Sequence, residues 1–187
     1  KISKGEIHQG VISEIIIPPI LNEDSLVNSI AAFDQKVMIL MLDSVQDPRN
    51  LGACLRSANA AGVTHVVVNK DGSAPINSLV HRTSAGALNS LQIFHVTNLS
   101  RTIKQIKKRD IWVVGLDGGT QSSLYDVNLK GSIAIVVGSE GKGIRPLIKK
   151  TCDQVVSIPM SGNVESLNVS VATAVTLFEI KRQRERP

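Results

Sequence analysis

From Val37 onward the chain alternates short β-branched runs with longer stretches of helical spacing, the rhythm of an α/β domain with a mostly parallel sheet flanked by helices. The pattern predicts strands over residues 37–42, 65–68, 91–95, 111–116, 132–137 and 154–158. Each is continuously apolar rather than alternating, so both faces of the sheet are expected to be covered. Helices are predicted over residues 51–61, 76–85, 99–108, 145–151 and 167–182. Ahead of this domain, residues 10–17 read as an extended segment, Pro18-Pro19 as a stop, and residues 25–33 as a modest helix. Residues 1–36 are therefore expected to form a linker and capping segment, and residues 37–187 one globular unit. The basic tail KRQRER from Lys181 reads as a frayed helix end.

Three junctions concentrate polar residues where a strand gives way to a helix. In VVSIPMSGNVESLNVSVATA (155–174) a strand ends in Ile-Pro-Met, passes through a turn at Ser161-Gly162-Asn163, and enters an apolar helix. Ser166 is expected to cap that helix, which is apolar on nearly all sides apart from Asn168, Ser170 and Thr173. Such a helix must be buried, within the domain or against another subunit. In DPRNLGACLRSANAAG (47–62), Asn50 is expected to N-cap the helix. Helical side chains lean toward the N-terminus, so Arg56 is expected to reach back toward it. In GSEGKG (138–143), Glu140 puts a carboxylate just past a buried strand, where α/β folds place their chemistry.

Each junction also has an ordinary structural account: a cap, tight packing around alanines, a flexible connection. Nucleotide-binding glycine loops are excluded more firmly. A phosphate-binding P-loop needs Lys-Ser/Thr in place of Ile144-Arg145, and no GxGxxG follows a strand. The segment VVGLDGGT (113–120) lacks the Rossmann spacing as well.

Charge and composition narrow the partners. The net charge of +5 and a sequence pI of about 9.4 favour polyanions without specifying one. Aromatic residues make up only 3%, with Trp112 and Tyr125 single copies, which argues against a surface of stacked aromatic platforms. Any nucleic-acid contact should rest on Arg, Lys and backbone groups. Cys54 and Cys152 are isolated, and His8, His65, His81 and His95 show no ligand spacing, so neither a metal site nor a disulfide framework is expected. No apolar run reaches membrane-spanning length, so no membrane partner is expected. These features point to a reducing cytoplasm, or an organelle matrix in a eukaryotic source. The chain opens at Lys1, mid-pattern, with HQGVISEI, and an upstream domain is expected.

Taken in order, NLGACLRSANAAG, VVGSEGKGI and SIPMSGNVESLNVSVATA resemble the three motifs of the SpoU (TrmH-like) RNA ribose 2′-O-methyltransferases, a match that spans residues 37–181. Within that family the wording is closest to the bacterial-type large-subunit ribosomal RNA guanosine 2′-O-methyltransferases. In those, a catalytic domain follows a small RNA-binding domain, and HQGVISEI resembles the linker between them. The resemblance implies a SPOUT-type α/β fold with a C-terminal trefoil knot, a cofactor, S-adenosyl-L-methionine, and a homodimer with its pocket near the interface. Position by position it implies cofactor contacts at Gly138, Ile158 and Leu167, with Met160 and Ser166 beside them. It implies a catalytic or substrate-orienting set of Asn50, Arg56, Glu140 and Asn168, with Ser166 facing the reaction. RNA contacts are expected from Arg49, Arg82, Lys142 and Arg145, joined by Lys149 and Lys150.

The chemistry so implied is placement of a ribose 2′-hydroxyl in line with a sulfonium methyl and removal of a weakly acidic proton. An arginine is effectively always protonated, so Arg56 is expected to orient the hydroxyl and neighbouring phosphate rather than act as a base. Glu140 is expected to hold Arg56 or Asn50. Two rivals remain on the sequence alone: the same chemistry on transfer RNA, and a catalytically idle RNA-binding or ribosome-assembly module of the same fold.

Overall fold

The computed structural model describes residues 18–32 and 36–186. The expected extended segment at 10–17 lies outside them, as does the end of the helix expected at 25–33. That helix is α1, Glu23–Ala31, capped by the side chain of Asn22.

Six strands form one sheet: β1 (Met38–Asp43), β2 (His65–Asn69), β3 (Gln92–Val96), β4 (Trp112–Leu116), β5 (Ile133–Gly138) and β6 (Gln154–Val156). Their order is β3-β2-β1-β5-β4-β6, and every pair is parallel. All six predicted strands are present, five with ends moved by one residue or none. β6 stops two residues early because Ser157 leaves the ladder and bridges to Ser123 instead.

The continuous apolar runs are explained by helices on both faces. Leu40, Leu42, Val66, Val68, Ile135 and Val137 point to one side, where α2 (Pro48–Ala61), α3 (Ser78–Thr83) and α6 (Val169–Glu185) pack. Ile39, Met41, Val67, Phe94, Ala134 and Val136 point to the other, under α1, α4 (Leu99–Lys107) and α5 (Pro146–Thr151). The two-residue period of a strand thus feeds two separate cores.

In a parallel sheet every strand delivers its carboxyl end to the same edge. After β1 the chain turns outward through α2 to β2, whereas β5 lies between β1 and β4 and leads toward β6. Such folds bind ligands in the crevice outside these carboxyl ends, and here it opens past β4, β5 and β6, with β1 in register against β5. The last pair in that register is Asp43 with Gly138.

Two sequence expectations about helix ends are corrected. α2 begins at Pro48, not Leu51, and its cap is Asp47, whose carboxylate accepts from the Arg49 N–H at 2.6 Å. Pro at the first helical position favours this earlier start, since its missing N–H has no partner to lose there. α6 is capped by Asn168, not Ser166. The basic tail is also not frayed. Helix α6 runs to Glu185, and the Arg184 guanidinium donates to the carbonyls of Lys36 (3.4 Å), Val37 (2.9 Å) and Gly131 (2.6 Å). Within this chain α6 is buried on one side only, with Val171 and Phe178 each 47% exposed, so of the two expected modes of burial the domain supplies one face.

Candidate active site

Asn168 occupies the junction between the loop after β6 and helix α6, and its amide is used on both sides. Its Oδ1 accepts from the Ser170 N–H at 2.9 Å and the Ser170 hydroxyl at 2.6 Å, closing the helix start. Its Nδ2 donates to Asn50 Oδ1 at 3.1 Å and to a Glu140 carboxylate oxygen. One side chain therefore joins the loop after β5, the first turn of α2 and the start of α6. Asn50 Oδ1 and one Glu140 oxygen thus share the Asn168 amide as donor, while the Asn50 Nδ2 and the other Glu140 oxygen make no hydrogen bond with any described residue. A donor next to an acceptor, open to solvent, is an arrangement that can hold a hydroxyl.

Glu140 does not hold Arg56. Six helical positions put Arg56 about 120° round α2 from Asn50. Arg56 instead shares the exposed face of α2 with Arg49, seven positions away, and makes no hydrogen bond or ion pair with any described residue. The two guanidiniums form a basic stripe beside the Asn50 turn. Arg82 is exposed on α3, which packs closely against α2: a Cβ on Gly52 would sit 1.8 Å from Thr83 Oγ1.

The GSEGKG segment is a closed loop rather than a slack connection. Ser139 and Gly143 exchange backbone hydrogen bonds at 3.1 and 3.0 Å, with Gly141 and Gly143 at φ values of 75° and 63°. The space a Cβ on Gly138 would fill lies 2.0 Å from the Gly143 carbonyl group and 2.3 Å from the Ile144 nitrogen. Gly138 is thus required by the loop's own closure. This differs from the expected reason, close approach to a ligand.

Beside this cluster lies a cleft of about 630 Å³, within the range of roughly 300–1,000 Å³ usual for small-molecule sites. Gly138, Glu140, Lys142, Ile158, Met160, Ser166 and Leu167 all line it. Its lining mixes apolar side chains with the backbone of three loops, which suits a ligand with both an apolar ring system and charged ends. Arg145 and Lys149 are less free than the sequence implied. Arg145 donates through its N–H (2.9 Å), Nε (2.7 Å) and Nη2 (2.7 Å) to the fully buried Asp43 carboxylate, and Lys149 pairs with Asp117 at 2.8 Å.

A model of the SpoU rRNA methylase family matches residues 37–178. The chain belongs to that family. It is 50% identical over 177 residues to the 23S rRNA (guanosine-2′-O-)-methyltransferase RlmB of Xanthomonas campestris, covering 95% of this chain and 71% of the relative. It is 47% identical over 182 residues to the protein of the same name from Escherichia coli K12, covering 97% and 74%. Among solved structures, the SpoU methyltransferase AviRb from Streptomyces viridochromogenes in complex with the cofactor AdoMet superposes with a TM-score of 0.77 at 27% identity. That match covers 83% of this chain, which spans 64% of AviRb. The A. aeolicus TrmH/SpoU tRNA modifying enzyme gives 0.74 at 29% identity, covering 87% and 84%.

This SpoU chain has one cleft wall that the sequence reading missed. Asp117, Gly118, Gly119 and Thr120 line the cleft together with Ser166 and Leu167. They belong to the VVGLDGGT segment, set aside for lacking a Rossmann spacing. The signal present was positional: Asp-Gly-Gly directly after a buried parallel strand. Ser157 was missed too, and its hydroxyl ties the two walls by donating to the Thr120 carbonyl at 3.0 Å.

Proposed function

We propose that the chain is an S-adenosylmethionine-dependent RNA methyltransferase that methylates a ribose 2′-hydroxyl, that of a guanosine in large-subunit ribosomal RNA. The single observation that carries this is the Asn168 bridge, which sets Asn50 and Glu140 side by side at the mouth of the cleft. Family membership and the 23S rRNA-modifying relatives support the substrate class.

Bound in this cleft, S-adenosylmethionine supplies a methyl group already made electrophilic by its sulfonium. Ile158, Met160 and Leu167 would hold its apolar part, and the backbone at Gly138 and the Ser166 hydroxyl its polar groups. The remaining tasks are to place the 2′-hydroxyl in line with that methyl, so that the O–C bond forms as the S–C bond breaks and S-adenosylhomocysteine leaves, and to pass the hydroxyl's proton to a base. The Asn50 Nδ2 donates to the ribose and the free oxygen of Glu140 accepts from the 2′-hydroxyl. Arg56 and Arg49, from their shared face, hold the flanking phosphate and stabilise charge developing on the oxygen. Arg82 and Lys142 extend this basic surface, and Arg145 presents the part of its guanidinium that Asp43 leaves open.

The same reading includes a homodimer formed through the half-exposed face of α6 around Val171 and Phe178, next to Ala172 on the cleft wall. It also includes the trefoil-knotted course of the C-terminal segment, supported by the return of α6 from the edge strand β6 to pack on α2. Its compartment is the cytoplasm, where the RNA is.

Methyl transfer from labelled S-adenosylmethionine to large-subunit rRNA and to tRNA, with the modified nucleotide mapped, tests the proposal. A 2′-O-methylguanosine in rRNA is the expected product. Label only in tRNA overturns the substrate, and no calorimetric binding of S-adenosylmethionine at millimolar concentration supports the idle module instead.

A further inference from the structure

Asp117 follows β4 at the carboxyl edge of the sheet, and its carboxylate meets three separate segments of the cleft's surroundings. Oδ1 accepts from the Gly119 N–H at 2.9 Å, closing the Asp-Gly-Gly turn, and from Lys149 Nζ of α5 at 2.8 Å. Oδ2 lies where a Cβ on Gly143 would come within 2.9 Å, at the closing end of the GSEGKG loop. Gly143 holds a left-handed φ of 63°, and Gly119 would bring a Cβ to 3.2 Å from Oδ1, so the chain carries glycine on both sides of this carboxylate. The side chain of Asp117 is 14% exposed. Burial alone would raise its carboxyl, but Lys149 and the N–H groups of Gly119 and Ile144 outweigh that and hold it below the ordinary carboxylate value. It is therefore a charged clamp at neutral pH.

Both loops that Asp117 fastens line the cleft: residues 117–120 form one wall and residues 138–143 another. Strand pairing fixes where the two segments begin, at Leu116 and Val137, and the Asp117 carboxylate adds a side-chain tie beyond the ladder, between its own turn, α5 and the end of the 138–143 loop. Lys149 is held to this carboxylate at 2.8 Å.

We propose that Asp117, backed by Lys149, is a positioning residue for the cofactor, setting the distance between the two loop walls that receive S-adenosylmethionine. This rests on the cleft being the cofactor site. The test uses the whole chain, its Asp117→Asn variant, which keeps the size but loses the charge, and Lys149→Met. Calorimetric titration with S-adenosylmethionine, steady-state kinetics with rRNA and thermal melting are read together. Asp117→Asn is expected to weaken cofactor binding about five- to twentyfold and raise KM for the cofactor to match, with a smaller change in kcat; Lys149→Met should weaken binding about two- to fivefold. Cofactor affinity within twofold of the parent in both variants overturns the proposal, whatever happens to the melting temperature. Should Asp117→Asn fail to fold, Lys149→Met decides alone, since its side chain is 37% exposed and not part of the core. Absence of binding by the parent chain would instead remove the underlying assignment of the cleft.

Discussion

Asn168 Nδ2 reaches Asn50 Oδ1 at 3.1 Å across 118 positions of sequence, and the same nitrogen serves Glu140. Asn168 therefore has two jobs that can be separated. Serine is as good an N-cap as asparagine but has no amide to bridge with. Asn168→Ser should keep the melting temperature close to that of the parent while methyl transfer falls about 10²-fold or more, the scale of losing one aligned donor. Wild-type transfer by this variant would exclude the bridge from catalysis.

Gly138→Ala should act through the backbone. The added methyl would meet the Gly143 carbonyl and the Ile144 nitrogen, neither of which is the end of a flexible side chain. Overpacking of this kind costs about 1–3 kcal/mol or more. The expected result is a lower melting temperature together with weaker cofactor binding by calorimetry, because the Gly138 backbone and the 138–143 loop that line the cleft are displaced.

Arg56 is exposed and unpaired among the described residues, so Arg56→Lys should change stability by no more than about 0.5 kcal/mol. Activity should fall nonetheless, because lysine cannot offer the planar fork of a guanidinium. A pH–rate profile makes the comparison: activity near the parent's with the same profile would sink a specific guanidinium role.

The sheet was legible because its strands are buried on both faces, and continuous runs such as IAIVV at 133–137 have few other readings. Helix starts were less so. Asn50 and Ser166 are good capping residues in sequence, yet Asp47 with Pro48, and Asn168, took those positions. Local propensity cannot rank two candidate caps a few residues apart; the packing of α2 and α6 against each other and the sheet does. The Asp117 wall escaped because it was judged against a glycine spacing belonging to another fold, while its actual role depends on Lys149, 32 positions away. The pairing of Arg145 with Asp43 spans 102 positions and was hidden for the same reason.

Acid should destabilise the domain partly through Glu179. Its bonds to Arg182, and secondarily to Gln183, outweigh the effect of burial and hold its carboxyl below the ordinary value. A depressed carboxyl contributes stability above its unfolded value and loses it as pH falls through the folded one. The melting-temperature gap between the parent and Glu179→Gln should therefore be full at pH 7 and close as pH drops below the ordinary carboxylate range. A gap that stays constant down to pH 3 would count against this source.

Both thiols should be inert in the folded protein. Burial pushes Cys54 and Cys152 up to about 11, with Glu140 adding to the effect at Cys54 and Asp153 at Cys152. At pH 8 only about one thiol in a thousand is then ionised, and the thiolate is the reactive form. Mass spectrometry after alkylation at pH 8 should find both unmodified until denaturant is added.

Helix α6 is fastened at both ends, by Asn168 to Asn50 at the cleft edge and by Arg184 on the carbonyls of Val37 and Gly131 at the other. Each added residue advances a helix by about 1.5 Å and turns it by about 100°. A single insertion or deletion between those anchors would swing one of them out of reach, so α6 acts as a gauge of fixed length. Its interior can change in composition, but a frame shift of one residue at its basic far end would be felt as misalignment at the ribose.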